Sequence, residues 1–428
     1  PPVARHAHVA QRRPLPRKPR KHARRQAPQK KNQSATRTDV MASEEELIPV
    51  VDIGAFVKKG DDAEACEAVA RALHDCGCLV VKDPRVDAKR NEAFLDLMEA
   101  YFEQSDGVED ARPDLHYQVG VTPSGVEKAR PRCDEASHLT DKPRSECPPL
   151  PDAKWRFFWR IGERPSQSKF EELNAPAVIP EGFPSWQATM DAWGSSLVDT
   201  AKTVAEMAAL GFGLERGAFS SKMRQAPHLL APTGSDLRLL TEDEPPLKRK
   251  AHEVRLGTVL AGFHTDLNFL SVRCCVEINQ ASRRWRGGRR DDSARTRRKS
   301  LISTQVHGKS RFPGLTVWTR SGKAVAPVIP EGCLLLQAGK QFEHLTAGHV
   351  LAGFHEVVAS DKTAGAARKA KENGTSLWRV SSTCFAHIAS DEVLEPLGRF
   401  ASSDSAADFP PTLTGDQVKA ELIAISLA

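Results

Sequence analysis

Residues 261–271 read AGFHTDLNFLS, and the interpretation of this stretch decides what the rest of the chain can be. The apolar run Val259–Phe263 just before it has the length and composition of a short strand. Alternate side chains of a strand face one side, so His264 and Asp266 point together into one space. An imidazole and a carboxylate so placed begin a metal site. Divalent iron takes two imidazoles and one carboxylate on one face and keeps its remaining positions open. Alone, such a pair is an easy coincidence in a chain with 14 histidines.

A second histidine comes from Gly353-Phe354-His355-Glu356-Val357-Val358, another short apolar strand. A histidine in a buried run is ordinarily a hydrogen-bonded core residue, but here a metal supplies the reason for it. Glu356 faces the opposite side and is not expected to be a ligand. The third feature is Trp378-Arg379-Val380-Ser381-Ser382, which opens a strand with residues 379, 381, 383 and 385 on one face. An arginine buried in such a strand requires an anion, its fork matches a carboxylate, and Ser381 can donate to the same group. A metal site beside an Arg379/Ser381 carboxylate anchor describes a receptacle for a small dicarboxylate that also chelates iron. His344, His349 and His387 are expected to be structural or exposed. His387 lies roughly 26 Å along the strand from Arg379, too far to share its ligand.

Working outward, Ile48–Ile53 and Cys78–Lys82 read as strands, and Asp62–His74 and Ala88–Gln104 as helices. Residues 105–182 are polar and proline-rich and are expected to form a long loop region. Phe183–Leu210 carries Trp186, Met190, Trp193, Leu197 and Val204 at near-helical spacing, a stripe expected to pack in the core. Short strands follow at Val259–Phe263, Leu315–Trp318, Gly332–Gln337, Gly353–Val358 and Trp378–Ile388, and then an amphipathic stretch at Gly415–Leu427. Strands with no helices between them imply a sandwich or barrel.

The net charge of +6 is unevenly spread. Residues 1–40 carry +11 and residues 272–305 carry +7, so the other 354 residues carry −12. An acidic core is a poor nucleic-acid surface, and nucleic acid is not the expected partner. The first forty residues have six prolines and almost no large apolar side chains, and are expected to be disordered. Met41 opens MASEEELIPVVDI and reads as a natural start, which places 1–40 outside the working protein. A nuclear or organellar address is the other reading of that segment. No run reaches the roughly 18 apolar residues of a membrane span. Nine cysteines without a framework imply unpaired thiols and a reducing, cytoplasmic setting.

The order HTD…GFHEVV…RVS resembles the iron(II)/2-oxoglutarate-dependent dioxygenases, in the branch similar to isopenicillin N synthase. IPVVDI, GCLVVKDPRV, HGKSRFPGL, LLLQAGKQFEHLTAGHV and TGDQVKAELIAI are similar to that family as well. The resemblance implies an α+β, mainly β fold with a double-stranded β-helix (jelly-roll) core and flanking helices. It implies an N-terminal region over 46–182 and a catalytic region over 183–428. His264, Asp266 and His355 would hold Fe(II), and Arg379 with Ser381 would hold the far carboxylate of 2-oxoglutarate. With O2, such an enzyme hydroxylates or desaturates a small molecule and releases succinate and CO2. The alternatives are an iron oxidase that needs no 2-oxoglutarate, or an inactive or nucleic-acid-associated protein using its basic segments. Substrate identity and oligomeric state are not legible.

Three passages depart from the family pattern. Residues 272–305 read as a basic insert, and removing them joins Ser271 to Val306 as FLSVHGKSRFPGL, which suggests a retained intron. The family's tyrosine before the HxD strand is missing, since the chain has only Tyr101 and Tyr117. Ser360–Leu377 is long and rich in Lys, Gly and Ala, and is expected to be a surface excursion.

Overall fold

IPVVDI enters the main sheet directly: β1 (Val50–Asp52) lies parallel to β2 (Cys78–Lys82), with Val50 opposite Val80. Between them come α1 (Gly54–Lys59) and α2 (Ala63–Cys76). Asp62 caps α2 by accepting from the Ala65 amide, and Gly77 ends it at φ 70°, where glycine escapes the Cβ penalty. α3 (Ala88–Gln104) buries Phe94, Met98 and Tyr101. Apart from α1, for which no element was expected, these match the bounds read from the sequence to within two residues. The structure, a computed structural model, describes residues 48–242, 253–274 and 312–427. The basic segment 1–40, Met41 and residues 275–305 lie outside the described residues. Everything described falls in one compact unit, Glu46–Ala428.

The long loop expected over 105–182 is corrected. It holds β3 (Gly120–Thr122), α4 (Cys133–His138) and the seven-residue β4 (Trp155–Ile161). β4 reads WRFFWRI: Phe157, Trp159 and Ile161 enter the core, while Arg156 and Phe158 face a cavity. Its second face is made polar by arginines, which hid the alternation. A disulfide joins Cys133 to Cys147 across 14 residues, so the expectation of unpaired thiols fails, and with it the cysteine argument for a reducing setting.

α5 (Trp186–Gly211) buries Trp186, Met190, Trp193, Leu197 and Val204, as expected of a core stripe. The Trp193 indole donates to Ser382 Oγ at 2.6 Å, tying this helix to the strand behind the site. Next come β5 (His228–Leu230), β6 (Thr233–Asp236), β7 (Val259–Thr265) and β8 (Leu270–Cys274). β8 carries the sheet into the first residues of the basic segment. Val272, Arg273 and Cys274 are strand residues, and Arg273 sits between Leu335 and Thr383 in the sheet.

The remaining elements are β9 (Leu315–Trp318), β10 (Ala324–Val325), β11 (Cys333–Ala338), α6 (Lys340–Leu345), β12 (Phe354–Val358), α7 (Asp361–Glu372), β13 (Trp378–Ala386), β14 (Val393–Leu394), β15 (Thr412–Leu413) and α8 (Thr414–Ala424). α7 replaces the expected surface excursion. Ser360 and Thr363 form a capping box, and Ala364, Ala367 and Ala370 pack on Leu240 and Phe312. An all-alanine stripe is narrow enough to pass for a loop.

A nine-stranded sheet runs β1-β2-β11-β8-β13-β5-β4-β3, with β6 beside β13 and β4, and a four-stranded sheet runs β10-β9-β12-β7. Together they form the jelly-roll core, with α2, α3 and α5 covering the outer face of the larger sheet. Among the described residues no helix is long and apolar enough to cross a membrane. Helix α5 can lie on α2 because Gly211 has no side chain: a Cβ there would stand 2.2 Å from the Cys66 carbonyl oxygen. Both partners are backbone-anchored, so Gly211→Ala should destabilise the chain by about 2 kcal/mol, read from the midpoint of urea unfolding.

Candidate functional site

His264 and His355 meet because β7 and β12 pair with these two residues directly opposite, which places their ring centroids 4.2 Å apart. His264 Nδ1 donates to the Gly262 carbonyl at 2.5 Å, which turns Nε2 toward Asp266 Oδ1 at 3.4 Å. His355 Nε2 stands 3.7 Å from the same oxygen. Asp266 begins the turn into β8, where its backbone carbonyl accepts from Lys340 N at 2.9 Å. That closure needs Gly339, where a Cβ would lie 2.0 Å from the Asn268 carbonyl. Ser271 Oγ donates to Asp266 Oδ2 at 2.6 Å and fixes the carboxylate plane.

Two further contacts set β7 and β12 from outside. Gly262 N donates to Asp152 Oδ1 at 2.9 Å, and Asp152 pairs with Lys154. Glu356 accepts from the amides of Arg144 and Ser145 and from Ser145 Oγ, which in turn accepts from Phe263 N at 2.7 Å. Glu356 therefore faces away from the histidines, as expected, and its work is structural.

One imidazole nitrogen from each histidine and one Asp266 oxygen lie within 4.8 Å of one another. Two nitrogens and one carboxylate oxygen on one face are the donor set divalent iron takes, so these residues fit that ion. Burial alone would raise the Asp266 carboxyl. The Arg273 guanidinium and the two histidines outweigh it and hold the group well below its ordinary range. Burial, helped by Arg273, holds His355 well below the ordinary imidazole range, in the neutral form a metal needs.

The triad opens into a cavity of about 1110 Å³, counting its mouth, between the two sheets. β13 runs along its wall, contributing Ser381, Thr383 and Phe385, and His387 follows just past its end. Ser381 Oγ lies 2.5 Å from Thr233 Oγ1. Arg379 is buried two residues further on the same strand, opposite Ser235, and lies beyond the cavity lining. The structure thus brings together His264, Asp266, His355 and Ser381 along one cavity, and sets Arg379 past its end. His344 and His349 lie off the cavity: the first bonds the Pro410 carbonyl and the second packs on Phe400. His387 is buried and lines the cavity at the Asp266 end, because Ala386 pairs with Leu270.

Charged residues missing from the sequence reading also line this space. Arg156 pairs with Glu127 at 2.7 Å and lies 4.0 Å over the Phe158 ring. Against burial, Arg156 and Lys154 pull Glu127 down to about 2. The alternation of β4 could have revealed Arg156. Arg273 is the larger surprise. Its guanidinium donates to Asp266 Oδ2 at 2.7 Å and lies 2.7 Å from His355 Nε2.

Residues 48–182 match the family model described as non-haem dioxygenase in morphine synthesis, N-terminal. The match covers the N-terminal third of the chain, and over the rest the likeness is one of fold. Solved structures share its fold. A 2OG-Fe(II) oxygenase family protein from Caulobacter crescentus is 20% identical with a TM-score of 0.58, over 88% of this chain and 99% of that one. A full-length Neurospora crassa protein in complex with alpha-KG and thymine is 16% identical with a TM-score of 0.61, over 89% and 98%. The rice dioxygenase for auxin oxidation is 15% identical with a TM-score of 0.53, over 89% and 98%. A comparison with curated proteins found no match.

Asp266→Asn should weaken Co(II) binding by more than about 100-fold, since even outer partners of metal ligands are worth 10–100-fold. The same change leaves Arg273 without its anion and should lower metal-free stability by roughly 3 kcal/mol in urea unfolding.

His228 carries a second prediction. Its Nδ1 accepts from His387 N at 3.1 Å and its Nε2 donates to the Met223 carbonyl, so the neutral ring is fully used. Burial, with Lys202 nearby, pushes it down to about 3. Below pH ~6.5 the unfolded chain takes up a proton that the native ring refuses, so stability is full above that pH and is lost as pH falls toward the folded value. His228→Gln should remove up to about 1.4 kcal/mol per pH unit from the slope of stability between pH 6.5 and 4.5, measured by urea unfolding.

Proposed function

We propose that this protein is a dioxygenase that hydroxylates or desaturates a small organic molecule, using Fe(II), O2 and 2-oxoglutarate and releasing succinate and CO2. The observation that carries the reading is the convergence of His264, Asp266 and His355 at one end of a cavity whose wall continues along β13 to Ser381. Iron on these three residues would supply oxygen activation driven by oxidation of the keto acid. The chain's own residues bind, orient and exclude water.

Ser381, with Arg379 beyond it, supplies the polar end suited to the far carboxylate of 2-oxoglutarate. Thr233 holds the Ser381 hydroxyl through its own hydroxyl. On the other side, α8 brings Val418 and Leu422 against the cavity, facing Phe158 and Ala129. The cations Lys154 and Arg156 are matched by Glu127 and Asp152, and Arg130 is matched by Glu421. A lining of apolar side chains and internally paired charges suits a compact molecule without net charge. The thymine complex of the Neurospora protein supports a substrate of that kind.

Oxygen uptake and succinate release should both require added 2-oxoglutarate. Ser381→Ala, at the cavity wall, should raise the KM for 2-oxoglutarate by roughly 30-fold, the loss expected for a hydrogen bond to a charged group. Oxygen uptake that ignores 2-oxoglutarate would instead identify an iron oxidase.

A further inference from the structure

Arg273 has no part in the mechanism above, yet it sits at the centre of the site. Its guanidinium reaches Asp266 Oδ2 and His355 Nε2, both at 2.7 Å. The His355 lone pair and the Asp266 charge are what a metal ion at this triad must use. We infer that Arg273 is a built-in cation that closes the metal centre, so that a divalent ion enters only by displacing the guanidinium. This rests on the triad being the metal site.

Three observations carry the inference. First, the competition is direct: one imidazole lone pair cannot serve both an N–H donor and a metal. A divalent ion and a guanidinium placed within about 4 Å of each other in a poorly hydrated site repel strongly. Secondly, the arginine can leave. Its backbone is held in β8 between β11 and β13, but among the described residues its guanidinium bonds only Asp266 and His355, and Nε has no hydrogen-bond partner. The cavity beside it, walled by Thr383 and Phe385, has room for the displaced head. Thirdly, the sequence ties the arginine to the basic segment. Ser271, the ligand-orienting hydroxyl, is followed two residues later by Arg273. In a chain lacking 272–305 the residue two after Ser271 is His307, which carries no fixed charge. The 34-residue segment therefore delivers the closing cation.

The test is Co(II) binding, followed by calorimetry and by visible absorption, on the full chain and three variants: Arg273→Gln, Arg273→Lys and removal of 272–305. Arg273→Gln should bind Co(II) at least tenfold more tightly than the parent, although its metal-free form unfolds at lower urea. Removal of 272–305 should also tighten binding, and Arg273→Lys should stay close to the parent. A purely structural arginine would lower stability without tightening metal binding. That result, equal or weaker affinity in folded Arg273→Gln, overturns the inference. An independent reading uses the unchanged chain: Co(II) should speed phenylglyoxal modification of Arg273, located by peptide mapping. An unchanged or slower rate overturns the inference even if the variants fail to fold. The added change His264→Ala should abolish the tightened binding. Co(II) binding that survives it overturns the triad reading itself rather than the role of Arg273.

Discussion

One register governs the centre of this molecule: residue 355 of β12 lies opposite residue 264 of β7. A slip of one residue would turn His355 out of the cavity and put Glu356 in its place, since neighbouring side chains on a strand face opposite ways. The register is held on the outer face. There Glu356 binds the 144–145 loop, and that loop's Ser145 accepts from Phe263 N. The residue that must not enter the site is thus the one that keeps its neighbour there. Asp266 is set by a separate device, the closure of its turn onto α6 through Gly339.

Charge near the cavity follows one rule. Almost every ionised group is matched, because a lone charge in so little water is costly. Glu127 lies between Arg156 and Lys154, and Lys154 also meets Asp152, whose other oxygen holds the Gly262 amide. The network supports β7 two residues before its histidine. Asp266 obeys the same rule by taking Arg273.

Much of this was legible in the sequence. The HxD pair, the second histidine and the core stripe of α5 are strict patterns in which side-chain spacing alone carries the information. Helix α2 shows its ends in the residues Asp62 and Gly77. Other features were hidden for definite reasons. In β4 the cavity face carries arginines, so a buried strand reads as polar. Helix α7 packs by alanines, whose small apolar signal is swamped by lysines. The Cys133–Cys147 bridge depends on a fold-back that spacing does not encode. Arg273 was read as part of a basic run, and only the pairing of β8 with β11 and β13 places it inside. Arg379 shows the opposite limit: strand parity groups it with Ser381, Thr383 and Phe385 but cannot say where the cavity ends.

The position of α8 has a consequence for the order in which the protein is made. Histidines, aspartate and both sheets are all encoded before residue 387, but Val418, Leu422 and Ile425 wall the cavity, and the Lys128 amide waits for the Ile425 carbonyl. Without that helix the cavity beside the triad would lie open to bulk water. The cavity over the His264, Asp266 and His355 cluster is therefore roofed by residues translated only after the cluster itself.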